Sequence, residues 1–372
     1  MQLAIERSEL LKALSHVTSV VERRTTIPIL SNVLLRADTT GLQLKATDLE
    51  REVVESVPAD AQQAGAVTVP AHMIHDIARK LPDGAQVMIE REQERERVTV
   101  RSGQARFALP ALPADDFPDL AAGEMTASFT IAAHDLKRLI EKTRFAISTE
   151  ETRYYLNGIY LHAVDANGQM MLRAVATDGH RLAQVELESP AGADAMPGVI
   201  VPRKTVGELF RLLDGSGSDV LVSVSDTKIR FELGDVTLTS KLIDGSFPDY
   251  ARVIPLTNDK EMRVSNAEFM SAVDRVSTIA SERGRAVKLS LGPNKLTLSV
   301  NNPEGGSATE EIETGYGAEA LDIGFNAKYL LDIAGQLESE TAMFKLADAS
   351  APTIVFDGED DRALYVLMPM RV

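Results

Sequence analysis

The chain has 372 residues, 44% of them hydrophobic, which is ample for two or three domains with their own cores. It contains no cysteine, so disulfides, thiolate nucleophiles and Cys-ligated metal sites are excluded and nothing ties it to an oxidising compartment. A formal net charge of −16 argues against a nucleic-acid partner unless positive charge is gathered locally.

In chain order, MQLAIERSELLKAL carries charge inside its apolar run, and no run of about 18 apolar residues occurs later. Neither a signal peptide nor a membrane span is expected, and the location should be cytoplasmic. Leu10, Leu11, Leu14, Val17 and Val21 recur at helical spacing and predict a first helix. Gly41 to Thr47 alternates with a period of two, as a strand does. Val69 to Leu81 predicts a second helix with Met73, Ile74, Ile77 and Leu81 as its apolar face; Val98 to Ser102 alternates again. Beyond Phe117-Pro118-Asp119, a third helix is expected from Leu136, Leu139, Ile140 and Thr143. The polar run Ser148 to Thr152 reads as a loop leading to Arg153-Tyr154-Tyr155 at a strand entrance. The turn Asp165 to Gly168, a helix over Val201 to Leu213, and strands over Thr227 to Leu233 and Asp235 to Lys241 follow. After Phe247-Pro248-Asp249, Ser265 and Glu268 have capping-box spacing before Phe269, Met270, Val273 and Val276. Gly292-Pro293-Asn294 and Asp357-Gly358 read as turns, Lys295 to Asn301 and Ala363 to Met368 as strands, and Phe325 to Leu337 as a sixth helix.

This order repeats. Val69 to Leu81 returns as Val201 to Leu213 and more faintly as Phe325 to Leu337, while Thr47-Asp48 and Thr177-Asp178, like the two Phe-Pro-Asp motifs, lie 130 positions apart. A period this long makes each unit a domain rather than a solenoid repeat. The expected fold is α+β, one domain copied three times, each copy two helices packed on antiparallel sheet. Boundaries just after the Phe-Pro-Asp motifs give domains 1–124, 125–257 and 258–372.

The helical segments of the first two units are each net basic and those of the third net acidic. Helices sharing one concave surface would attract phosphate there; alternatively, the charges decorate ordinary solvated faces. Signals for catalysis are thin. Gly215-Ser216-Gly217 lacks the lysine of a phosphate loop, and His72 and His75, three apart, have no third ligand at a recognisable spacing. Asp178 and His180 could serve as acid and base beside Ser240 or Ser246, but no nucleophile elbow accompanies them. No enzyme activity, cofactor or metal is expected. Adjacent tyrosines at a strand entrance point to opposite faces, so one of Tyr154 and Tyr155 should be exposed beside Arg153, either meeting a sugar-phosphate backbone or capping a core. Tyr365 to Val372 is an apolar tail that must pack or be bound.

Pro28-Ile29-Leu30, Thr47-Asp48-Leu49, Arg153 to Gly158, Thr177 to Leu182, Val201-Pro202-Arg203-Lys204, Ser240 to Tyr250 and Met368-Pro369-Met370-Arg371 occur in the order found in the beta sliding clamp family of bacterial replicative DNA polymerases, which the whole chain resembles. The resemblance implies a DNA clamp fold, three similar domains forming half of a ring-shaped homodimer that holds double-stranded DNA without reading sequence and has no chemistry of its own. Its implied partners are the replicative polymerase catalytic subunit, the clamp loader, other DNA polymerases and repair proteins, all through short linear peptides. DNA contact falls on Arg24, Arg79, Tyr154, Tyr155, Arg203 and Lys204. The partner cleft falls on Leu156, Thr177, Gly179, His180, Arg181, Leu182, Pro248, Arg252, Val253, Asn326, Tyr329, Val366, Met368, Pro369, Met370 and Arg371. The subunit boundary falls on Phe107, Leu109 and Ile279. This chain departs from the family pattern at His72-Met73, where a basic pair is expected, and at Glu150, beside the tyrosines.

Overall fold

The structure is a computed structural model that describes residues 1–92, 96–120, 123–215, 217, 219–280, 285–358 and 360–372, so Ser216 of the Gly215 to Gly217 stretch lies outside it. The chain runs three times through one order: a strand, a helix, a set of four or five strands, a second helix and three closing strands. The helices are α1 (Arg7–Val17), α2 (Ala71–Lys80), α3 (Ala133–Arg144), α4 (Arg203–Leu213), α5 (Asn266–Ser277) and α6 (Ala327–Ala334). Among the described residues none is long and apolar enough to cross a membrane.

Side-chain caps start three of the helices. The Glu6 carboxylate accepts from the Ser8 and Glu9 amides at α1, Ser265 Oγ accepts from Glu268 N at α5, and Asn326 Oδ1 accepts from Lys328 N at α6. The expected apolar faces hold with three exceptions. Val21 and Leu81 are buried but lie past the ends of α1 and α2. Met73 is half exposed, because the buried stripe of α2 is Ala71, Ile74 and Ala78, and residue 73 lies more than a third of a turn from the centre of that stripe.

Among the described residues all strand pairings are antiparallel, and the chain divides into two compact units. Unit 1 comprises residues 1–137, 190–197 and 204–242, and unit 2 residues 138–189, 198–203 and 243–372. The division cuts through the second repeat because sheet continues across repeat boundaries. In unit 1 an eight-stranded sheet runs Ala127–Ile131, Val220–Val224, Lys228–Leu233, Val236–Lys241, Arg51–Val57, Gly41–Thr47, Asn32–Asp38 and Gly65–Pro70. In unit 2 a nine-stranded sheet runs Val199–Pro202, Gly158–Ala166, Gln169–Thr177, Arg181–Glu188, Asp360–Leu367, Thr353–Asp357, Thr341–Leu346, Lys260–Ser265 and Gly315–Tyr316. Each therefore has one seam between repeats: Arg51 to Glu55 against Ser240 to Val236, and Arg181 to Val185 against Leu367 to Ala363. The seams share a register, since Lys241 N donates to Glu50 O and Met368 N to His180 O, both at 2.9 Å.

Two further sheets carry free edges. Unit 1 holds a five-stranded sheet of Asp60–Gln63, Gln2–Glu6, Gln86–Glu92, Arg97–Ser102 and Ala105–Pro110. Unit 2 holds a four-stranded sheet of Gly306–Glu313, Lys295–Asn302, Ala286–Gly292 and Leu321–Asn326. Large apolar side chains fill the cores, among them the fully buried Phe231 in unit 1 and Phe269, Phe325, Phe344 and Tyr365 in unit 2. The turn at Asn167-Gly168 takes positive φ at both residues, as a two-residue hairpin requires.

Candidate functional site

Each seam begins at the same turn, written by a Thr-Asp-x-x-Arg pattern. Thr47 Oγ1 donates to Arg51 O at 2.7 Å, and Asp48 Oδ1 accepts from the Glu50 and Arg51 amides. Thr177 Oγ1 likewise donates to Arg181 O at 2.7 Å, and Asp178 Oδ1 accepts from the His180 and Arg181 amides. The third turn residue has positive φ in both, 73° at Leu49 and 89° at Gly179. The 130-residue spacing in the sequence thus reports a turn built twice by the same hydrogen bonds.

The side chains on the two frames differ. At the first seam Glu52 faces Lys45 at 2.9 Å and Lys241 pairs with Glu50 at 3.0 Å, so the surface is ionic. At the second seam Leu182 replaces Glu52, Met368 replaces Lys241 and His180 replaces Glu50. Val175, Leu182 and Val366 form a buried apolar floor, overlaid by the half-buried Tyr160, Phe247, Tyr250, Ile254 and Leu364. Tyr160 stacks on Phe247 with ring centroids 5.0 Å apart. At the far end of the same face Arg173 holds Glu186 and donates to Tyr250 Oη at 3.0 Å, and His162 Nε2 lies 3.0 Å from that hydroxyl. Burial pushes the His162 imidazole below its ordinary value.

Arg181 organises the wall of this apolar site. Its guanidinium is buried, contacts Asp178 at 3.2 Å and Asp332 at 2.5 Å, and donates to Phe145 O at 2.7 Å. It also lies over the rings of Tyr329 (4.4 Å) and Phe145 (5.1 Å). Burial raises the Asp332 carboxyl, but hydrogen bonds from Lys328 and Arg181 outweigh that and hold it below the ordinary carboxylate range. His180 stacks on Tyr329, its ring plane tilted by 24°. The tail is held by its backbone, not only by its apolar side chains. Met368 N bonds His180 O, and Met370 N bonds Gly324 O at 2.7 Å. A Cβ on Gly324 would stand 2.3 Å from Val372 Cγ1, so glycine is what lets the tail lie flat there.

All sixteen cleft residues expected from the sequence fall within unit 2. Leu156, Arg181, Leu182 and Val366 are buried, Thr177, Asn326, Tyr329, Pro369 and Met370 half-buried, and Gly179, His180, Pro248, Arg252, Val253, Met368 and Arg371 exposed. An apolar floor with a rim of Met, Val, His and Arg can take a short chain bearing a few apolar anchors and a polar residue.

The six basic and tyrosine positions are divided between the units. Arg24, Arg79 and Lys204 are exposed in unit 1, with Arg79 on Asp76 at 2.9 Å and Lys204 on Glu22 at 2.8 Å. In unit 2 Arg203 and Tyr154 are exposed and Tyr155 is half-buried. The tyrosines do not stand at a strand entrance, as the sequence suggested. They lie on a 3-10 segment, Glu151–Leu156, and the strand begins later, at Gly158. Their rings meet edge to face at 5.8 Å. Glu150, the departure from the family pattern, pairs with Arg153 at 2.8 Å. At His72-Met73 the imidazole meets Val21 O at 3.1 Å, while His75 faces Ser15 Oγ at 3.2 Å, so the two histidines serve different partners. Phe107 and Leu109 lie on the edge strand Ala105–Pro110, half-buried and buried respectively; Ile279, half-buried, accepts from Asn302 Nδ2 at 2.9 Å.

The acid, base and nucleophile considered from the sequence are otherwise engaged. Asp178 serves the turn and Arg181, His180 stacks on Tyr329, and Ser240 Oγ bonds Thr205 Oγ1 at 2.7 Å. No group of three or more potential metal ligands occurs among the described residues. Sequence reasoning missed Asp332, Phe145 and Gly324. Only Asp332 left a trace, its four-residue spacing from Lys328 on α6.

Models of the DNA polymerase III beta subunit match the chain in three consecutive stretches: the N-terminal domain over residues 1–121, the central domain over 130–249 and the C-terminal domain over 251–371. The beta sliding clamp of Caulobacter vibrioides is 52% identical over 372 residues, covering all of both chains. Among solved structures, the Bartonella birtlesii DnaN sliding clamp bound to griselimycin is 53% identical with a TM-score of 0.97, and that of Pseudomonas aeruginosa bound to griselimycin is 41% identical with a TM-score of 0.95. Both comparisons cover the whole of each chain.

Proposed function

This chain belongs to the DNA polymerase III beta subunit family, and from that premise we propose that it works as a sliding clamp, a homodimeric ring around duplex DNA. It is a non-catalytic processivity factor that tethers the replicative polymerase and hosts the clamp loader, other polymerases and repair proteins through short peptides. We assign it three clamp domains, 1–124, 125–257 and 258–372, and the cytoplasm as its location.

The observation that carries the ring is the repeated seam. The third repeat's counterpart of Arg51–Val57 and Arg181–Glu188 is Gly306–Glu313, and the first repeat's counterpart of Val236–Lys241 and Asp360–Leu367 is Ala105–Pro110. Each of these is the outermost strand of its sheet. Two copies joined head to tail pair both edges, close the sheets and leave no exposed edge at the boundary. Phe107, Leu109 and Ile279 then supply its apolar contacts.

DNA is held by charge, through Arg24, Arg79, Arg203 and Lys204 with Tyr154 and Tyr155 on the sugar-phosphate backbone. Such contacts are independent of base identity, as sliding demands. The ion pairs on Arg79 and Lys204 keep that attraction modest, since each phosphate contact must displace a carboxylate. Peptides enter the cleft over Leu182 and Val366, between the His180 rim and the tail.

Solution mass tests the seam. The chain should sediment at twice its own mass, and Ala108→Pro, which removes an amide from the edge strand, should release monomer. A variant that remains dimeric would overturn the pairing.

A further inference from the structure

Gly179 presents a problem that the turn itself does not explain. Its φ of 89° is ordinarily a reason for glycine, yet the same turn in the first repeat carries Leu49 at 73°. The turn therefore tolerates a side chain at this position. What differs is the neighbour above it. A Cβ on Gly179 would stand 2.5 Å from Arg153 Nη1, inside van der Waals contact. Three residues before the buried leucine that leads into the repeat's second strand, Asn32–Asp38 in the first repeat and Gly158–Ala166 in the second, the second repeat has Arg153 before Leu156, whereas the first has Ile27 before Leu30. Glycine and arginine occur together where the apolar site lies, and leucine and isoleucine where it does not.

Arg153 is built into that position. It is the kink of the 3-10 segment, with φ −113° and ψ 52° between two short turns. Glu150 grips its guanidinium twice, at Nε and at Nη2, each at 2.8 Å. On one side of Arg153 in sequence stands the exposed Tyr154, and three residues on is the buried Leu156. Beyond Gly179, the His180 carbonyl accepts the Met368 amide that starts the tail.

We propose that Arg153 is a positioning residue for the peptide cleft, its guanidinium lying on Gly179 and fixing the Gly179–His180 rim against the segment that presents Tyr154. Occupancy of the cleft is thereby transmitted to Tyr154, the side chain assigned to DNA. The inference rests on the cleft reading above and adds the residue that couples the cleft to the tyrosines.

A mutant cycle tests it, with griselimycin affinity as the readout. Gly179→Ala should weaken binding several-fold, because a methyl group must displace a guanidinium that Glu150 holds in place. Arg153→Ala should weaken it several-fold by freeing the rim. In the double variant the two losses should not multiply: without the guanidinium, residue 179 tolerates a side chain as residue 49 does. Should Gly179→Ala fail to fold while the double variant folds, the clash is demonstrated equally. A double variant as weak as the product of the single losses would overturn the proposal, since glycine would then be needed for its backbone alone. With 3-fluorotyrosine incorporated, the Tyr154 resonance should move on adding griselimycin to the wild type and stay in place in Arg153→Ala; an unmoved wild-type resonance would overturn the coupling. Wild-type protein that does not bind griselimycin would overturn the cleft reading itself, an outcome distinct from either of these.

Discussion

Replacing Arg181 by methionine would remove the buried cation around which the wall of the apolar site is built. The guanidinium side chain is 6% exposed and has Asp178, Asp332 and Phe145 O as partners, with Tyr329 and Phe145 on its faces. Breaking a buried ion pair on one side costs about 3–5 kcal/mol. Here the loss is smaller, because Asp332 keeps Lys328 at 2.7 Å and 28% exposure, and Asp178 keeps two amide donors. Weighing these, about 2–3 kcal/mol remains, of which the carbonyl and ring contacts supply about 1. Hydrogen exchange of the 177–186 amides should accelerate roughly 30- to 150-fold, and griselimycin affinity should fall with it. The matching change Arg51→Met should be milder, since Arg51 pairs with one carboxylate, Asp48, and donates to Lys204 O. Unchanged exchange and affinity in Arg181→Met would refute the assignment of the wall to this guanidinium.

Deleting Met368 to Val372 removes the amides that bond His180 O and Gly324 O, and should abolish griselimycin binding while sedimentation still reports a dimer. Arg24→Ala combined with Arg203→Ala should weaken binding to duplex DNA and lower the slope of log affinity against log salt by about 2, read by anisotropy titrations across salt concentrations. His162 is held below the ordinary imidazole value by burial, so the folded state binds fewer protons than the unfolded one. Its stability contribution is complete above about pH 6.5 and is lost as pH falls below that. Thermal melts between pH 7.5 and 5.5 should show a decline that His162→Gln flattens.

Periodicity exposed the architecture because three copies of one unit repeat their apolar spacing and turn chemistry, so each copy corroborates the others. Thr47-Asp48 and Thr177-Asp178 were legible as landmarks. That they begin the two seams was not, because strand pairing between distant segments leaves no local signature. Met73 was misassigned for the opposite reason: its hydrophobicity suggested a core face that the register of Ala71, Ile74 and Ala78 denies it. The 3-10 segment under the tyrosines escaped notice because short polar turns carry no period. Cleft positions came from family resemblance; their support did not, since Arg181 depends on Asp332, from 151 residues further along the chain. Such a pair is visible only once the sheet has brought α6 beside the turn.

Retention on circular DNA bears most directly on the ring. The protein, loaded onto nicked circular duplex by its clamp loader and washed at high salt, should remain bound, and it should be lost when a single cut makes the circle linear. Equal retention on both forms, or equal loss from both, would contradict a closed ring and leave only ordinary electrostatic binding.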